Sequence, residues 1–244
     1  IQPQPSQFAP DSTLDLDKVR AKIKADDMHF ARSRLLCLEN TRSGDVLPGD
    51  YHTRAANFCQ DNCLALHLHG ARLFTACVRQ GSAVTEITRH YDSVSLCISK
   101  GLGAPAGSIL VGEHALIKEA RKWRKMLGGG MRQAGIIAAA CQYAMENNVS
   151  RLAEDHANAR YLAEGLAALP GVQCDPSAVQ TNMVFLQLEA PAHGDALMAH
   201  LAEAGVLTLG GNVMRLVTHM DVSRADVDKL IEASREYLSG MGIT

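Results

Sequence analysis

Residues 92–108 read DSVSLCISKGLGAPAGS, and this stretch decides how the rest of the chain is read. Residues 93–98 are a short apolar run suited to a strand in a sheet core. The run ends at Ser99 and Lys100 and then meets Gly101, Gly103, Pro105 and Gly107. Lysine is expensive to bury and seldom ends a core strand without a task. Glycines around it let a planar group approach the backbone. A lysine whose pKa is lowered in such a place forms a Schiff base with an aldehyde cofactor. Taken alone, the stretch also fits a surface lysine on a glycine loop.

Working outward, residues 67–73 read HLHGARL and close an earlier apolar run, 63–68. His67 and His69 are two apart, so on a strand they point the same way. Gly70 permits a sharp exit, and Arg72 then stands at the C-terminal edge of the sheet, where open α/β sheets bind ligands. Residues 34–39 (RLLCLE) are a third run; like 63–68, it reads as a strand buried on both faces. With a helix over 50–61 between them, these runs make a strand–helix–strand crossover suited to a parallel sheet. Residues 108–111 add a strand, and 12–25, 113–127, 132–147, 150–169 and 224–239 read as helices. Ser223 with Asp226 forms a start box for the last of these. Further strands are expected at 182–188, 206–209 and 214–218. The expected division is an α/β region over 1–130, then linking helices and a smaller α+β unit over 131–244.

Composition narrows the classes. The chain has 244 residues, a formal net charge of -2 and 47% hydrophobic residues, ordinary for a globular protein. No block of like charge points to nucleic acid or an anionic membrane. No apolar stretch has the length of a membrane span, and 1–11 lacks the pattern of a signal peptide. The seven cysteines are odd in number and mostly in apolar runs, which fits reduced, buried thiols in a cytoplasmic protein. Cys59 and Cys63 lack a second pair at zinc-finger spacing. The first residue is Ile1, so the chain is expected to start downstream of a translation start.

Together, HLHGARL (67–73) and SVSLCISKGLGAPAGSILVG (93–112) resemble the two central motifs of the low-specificity threonine aldolases. These are pyridoxal-phosphate enzymes of fold type I, the aspartate-aminotransferase-like group. LLCLENT (35–41), RKMLGGGMRQAG (124–135), QTNMVFLQL (180–188) and RLVTHMDV (215–222) match as well, in order and in spacing. The resemblance implies a PLP-dependent transferase-like three-layer α/β/α large domain, N-terminally incomplete, and a small C-terminal α+β domain. It implies a lyase that cleaves threonine or allo-threonine to glycine and an aldehyde on pyridoxal 5'-phosphate.

By the same resemblance, Lys100 is the Schiff-base lysine, and Arg72 contacts the cofactor and the substrate. Arg215 holds the substrate carboxylate, a task suited to guanidinium. Lys125 and Arg132 match residues that reach a neighbouring subunit's site, which implies a homo-oligomer, dimer or tetramer. Asn40 and Thr41 are weaker members of the cofactor pocket. Two departures stand out. His69 occupies the position of an aspartate that pairs with the pyridine nitrogen. A charge-assisted hydrogen bond contributes roughly 1.5–3 kcal/mol, so its loss, if felt wholly in the transition state, slows the reaction about ten- to a hundred-fold or more. The family's opening segment, with the loop that cradles the cofactor phosphate, precedes the first residue of this pattern. An inactive binding relative on the same scaffold therefore stays open, as does a metal-dependent hydrolase built on His67, His69 and Asp92.

Overall fold

The structure is a computed structural model that describes residues 1–190 and 193–241. It divides into two compact units, Ile1–Val149 and Ser150–Thr244. The division falls later than 130 because the helix that follows the glycine turn at 128–130 clusters with the first unit.

The first unit opens with a short helix, α1 (Leu16–Arg20), capped by the Asp15 carboxylate, which accepts from the Asp17 and Lys18 amides. The helix expected over 12–25 is therefore much shorter. Ser12 has a φ of 63°, and Phe8 bridges to Leu14, so the chain enters from an extended segment. That segment is held by Tyr51, whose hydroxyl accepts from Leu14 N–H (3.1 Å) and donates to Leu14 O (2.8 Å). The Arg42 guanidinium lies 4.4 Å from the centre of the Phe8 ring.

A four-stranded sheet follows, in the order β1 (Leu35–Glu39), β2 (Ala65–Gly70), β3 (Ser93–Cys97), β4 (Ser108–Gly112). Helix α2 (Gly49–Asp61) joins β1 to β2, and α3 (Leu73–Gln80) with α4 (Val84–Thr88) joins β2 to β3. These crossovers make β1, β2 and β3 parallel. A ten-residue loop without a helix turns β4 back, so it runs antiparallel to β3. Helix α5 (His114–Met126) packs on β4, and α6 (Gly135–Asn147) ends the unit.

The sheet is α/β in class, as expected, but its strands are not buried on both faces. Leu36, Leu38, Leu66, Leu68, Val94 and Leu96 are buried on one face. The other face carries Leu35, Cys37, His67, His69, Ser93 and Ser95, none of them buried, with Leu35 54% exposed. The apolar runs hide a period of two, because leucine and cysteine stand where a solvated strand has polar residues. Cys37 and Cys63 are likewise exposed, whereas Cys59, Cys77 and Cys141 are buried.

The second unit packs α7 (Leu152–Ala167), α8 (Gly194–Glu203) and α9 (Arg224–Gly240) on an antiparallel sheet, β5 (Val172–Gln173), β6 (Met183–Leu188), β7 (Val213–Val217). Leu162 and Leu166 meet Val184, Leu186, Leu216 and Ile231 in one core. A Cβ at Gly165 would lie 2.3 Å from Ile231 Cδ1, so glycine sets the approach of α7 to α9. The start box of α9 is present: Ser223 Oγ accepts from Asp226 N–H, and Asp226 accepts from Ser223 N–H. The strand expected at 206–209 is absent; Leu207 and Leu209 are exposed and unpaired with either sheet.

Candidate active site

The C-terminal ends of β1, β2 and β3 fall along one edge because the three strands are parallel and in register. Glu39 pairs with His69, and His69 with Ser95, so Asn40, His69 and Lys100 follow from neighbouring strand ends. Asn40 N–H donates to His69 O at 3.1 Å, continuing the ladder one step past β1. Arg72 is the half-buried residue that precedes α3.

Asn40 and Thr41 are buried, at 0% and 1% exposure. Asn40 Oδ1 accepts from Leu47 N–H, but among the described residues Asn40 Nδ2 and Thr41 Oγ1 meet no hydrogen-bond partner. Buried polar atoms left unpaired cost about 1–3 kcal/mol each unless a ligand meets them. They are the edge's clearest sign of a missing polar partner.

Lys100 is exposed, so the expectation that burial acts on it is corrected. What is fixed is the loop that carries it. Gly103 N–H donates to Lys100 O (2.8 Å), Ala104 N–H to Ile98 O (3.2 Å) and Ile98 N–H to Gly107 O (3.1 Å). Asn148 Nδ2 reaches Leu102 O (2.7 Å) and Cys141 Sγ reaches Ala106 O (3.3 Å). Gly107 has a φ of 128°, and a Cβ there would sit 2.5 Å from Cys141 Sγ, so this loop requires glycine at that point. Gly70 answers to packing instead: an added Cβ would crowd Ser95 O and the Leu73 and Leu96 side chains.

His67 Nδ1 lies 2.8 Å from Ser93 Oγ, and His69 Nδ1 3.2 Å from Ser95 Oγ. Burial, and then the neighbouring His69, hold the His67 pKa below that of free imidazole. Asp92 does not join this pair, because its Oδ2 accepts from Leu66 N–H at 2.7 Å. Among the described residues, no three His, Cys, Asp or Glu side chains gather as a metal site. Ser95 and Ser93 were missed in the sequence, although the alternation SVS opposite HLH signalled a shared face.

Lys125 lies on α5 and Arg132 in the turn before α6; both are exposed and neither forms an ion pair among the described residues. Arg215 belongs to the second unit, exposed on β7 opposite Phe185. The motifs around Arg215 have a structural task too. Asn182 Nδ2 donates to Thr218 O (2.8 Å), and Thr218 Oγ1 donates to Asp155 O (2.6 Å). Burial raises the Asp155 pKa against the bound Arg151 guanidinium, 2.8 Å away. A cleft of about 240 Å³ lined by Thr85, Thr88, Arg89 and Gly112 lies at the opposite end of β3 and takes no part in this edge.

Residues 1–189 match the family described as beta-eliminating lyase. The chain is 48% identical over 239 residues to the low specificity L-threonine aldolase of Escherichia coli K12, covering 98% of this chain and 71% of that protein. Among solved structures, Leishmania major threonine aldolase superposes with a TM-score of 0.76 at 20% identity, over 94% of this chain and 69% of that one. A chain described as SPT with PLP superposes with a TM-score of 0.67 at 18% identity, over 94% and 60%. The chain therefore belongs to the beta-eliminating lyase family, as a relative of its low-specificity threonine aldolases. It spans about two thirds of the length of these proteins.

Proposed function

We propose that this chain is a pyridoxal-phosphate-dependent lyase that cleaves threonine or allo-threonine into glycine and an aldehyde. The observation that supports the reading is that Lys100, His69 and the buried Asn40 and Thr41 belong to the ends of neighbouring parallel strands and the loops that follow them, in a chain 48% identical to a threonine aldolase.

These residues fit the cofactor. Lys100 would hold its aldehyde carbon, His69 its ring nitrogen, and Asn40 and Thr41 would meet its polar substituents with the atoms now unpaired. Bound there, the cofactor supplies a sink for the electrons left on Cα when the Cα–Cβ bond breaks. Arg72 binds at the same edge beside the substrate. By the family resemblance, Arg215 would hold the substrate carboxylate through a bidentate pair.

We read the protein as a cytoplasmic homo-oligomer, a dimer or tetramer. Helix α5 has no buried residue, and Trp123, Met126, Leu127, Met131 and Ile136 are 55–82% exposed along α5 and the start of α6. Apolar exposure on that scale marks an interaction surface. A second copy seated there would bring Lys125 and Arg132 toward its partner's site. No helix among the described residues is long and apolar enough to cross a membrane.

The direct test supplies pyridoxal phosphate and measures glycine and acetaldehyde from L-threonine and L-allo-threonine. The reading expects equal amounts of the two products, and none from Lys100→Ala. Product formation that survives Lys100→Ala, or none from the native protein, overturns it.

A further inference from the structure

Four side chains on the open face of the sheet form one continuous hydrogen-bonded chain across β2 and β3. Ser93 Oγ lies 2.8 Å from His67 Nδ1, His67 Nε2 lies 3.4 Å from Ser95 Oγ, and Ser95 Oγ lies 3.2 Å from His69 Nδ1. The parallel register makes this possible: His67 pairs with Ser93 and His69 with Ser95, all on one face. Of the four ring nitrogens, His69 Nε2 is the one that takes no part in these contacts.

Ser95 stands between two imidazoles with a single proton to give. A hydroxyl that donates to one ring nitrogen must accept from the other. If Ser95 donates to His69 Nδ1, His67 must donate from Nε2, and both rings carry their proton on Nε2. If Ser95 donates to His67 Nε2, His69 must donate from Nδ1, and both rings carry it on Nδ1. The neutral histidines therefore share one tautomer, in which His69 Nε2 is a donor in the first case and an acceptor in the second.

We propose that His67 and Ser95 are positioning residues that couple the tautomer of His69 to a proton chain, so that neutral His69 serves a ligand's ring nitrogen as donor or acceptor. This rests on the cofactor reading given above. The balance is simple. A proton taken up at His69 Nε2 forms an N–H bond there, and the Nδ1 proton passes to Ser95. The Ser95 proton passes to His67 Nε2, the His67 Nδ1 proton passes to Ser93, and the Ser93 proton goes to water. One proton enters, one leaves, and no ring keeps a charge. Burial and the nearness of the two rings already disfavour an imidazolium at His67. From β1, Cys37 faces His67 and Glu39 faces His69 at the paired positions; Glu39 is the one carboxylate in the row. The chain thus offers a neutral route to the task that a carboxylate performs with charge.

The test is ¹⁵N NMR of the ring nitrogens in histidine-labelled protein, which distinguishes the tautomers directly. Without cofactor, His67 and His69 are expected to show the same tautomer. Ser95→Ala should remove that match, and Ser95→Thr, which keeps the hydroxyl, should restore it. On adding pyridoxal phosphate, a change at His69 should appear at His67 too, and be lost at His67 in Ser95→Ala. Opposite tautomers in the native protein, or a match that survives Ser95→Ala, overturns the proposal. If Lys100 takes no cofactor, the function proposed above fails, while the cofactor-free spectra still decide the coupling.

Discussion

Gly107→Ala tests how firmly the loop around Lys100 is built. Gly107 has a φ of 128°, which costs a residue with a side chain about 1–3 kcal/mol. The new Cβ would also stand 2.5 Å from Cys141 Sγ, and overpacking of this kind costs about 1–3 kcal/mol more. The sum is about 2–6 kcal/mol. For a chain of this length it lowers Tm by about 4–24 °C, at about 2–4 °C per kcal/mol. Urea unfolding followed by circular dichroism measures the loss. Gly107→Ala combined with Cys141→Ala separates the two parts, since removing the thiol relieves the contact and leaves the backbone strain. The double variant should recover part of the loss and no more. A loss below about 0.5 kcal/mol in Gly107→Ala, the range of an ordinary surface change, would refute the reasoning.

Other outcomes follow from the same structure. His52 is 1% exposed, donor or acceptor to Tyr91 Oη at 2.7 Å through Nδ1, and its pKa is pushed down to about 4, first by burial and then by His90. The folded state thus keeps it neutral while the unfolded chain protonates near 6.5. Its contribution is full above pH 6.5 and falls as pH drops toward 4, by about 3 kcal/mol. Urea midpoints across that window should fall less steeply for His52→Gln than for the native protein; parallel curves would refute this. Tyr51→Phe removes both bonds to Leu14 and should cost about 1–3 kcal/mol, read as a urea midpoint, with faster proteolysis before residue 15. Trp123→Glu places a charge in the exposed apolar strip and should shift the sedimentation coefficient toward the monomer, while an unchanged value would clear that strip of a role in assembly.

The parallel strands were legible because the apolar runs at 34–39, 63–68 and 93–98 alternate with helical periods. Burial on one face only was not. Leucine at 35 and cysteine at 37 mask the alternation that His67, His69, Ser93 and Ser95 show, and which face is covered depends on elements distant in the chain. The helix at 12–25 failed for a local reason: Ser12 turns with positive φ, and the Asp15 cap starts the helix late. The strand at 206–209 failed because it has no partner, which no propensity records. At the site, the lysine loop and the HLH strand end were readable from spacing. Lys100 exposure and the unpaired atoms of Asn40 and Thr41 were not, because each depends on what packs against it.

The central claim is that Lys100 is the residue that takes the cofactor. The most direct measurement incubates the purified protein with pyridoxal phosphate, reduces it with borohydride and maps the labelled peptide. The account predicts one pyridoxyl group per chain, on Lys100, in the peptide that contains residues 93–112. Label spread over the surface lysines of α5, with Lys100 no more reactive than the rest, would contradict it.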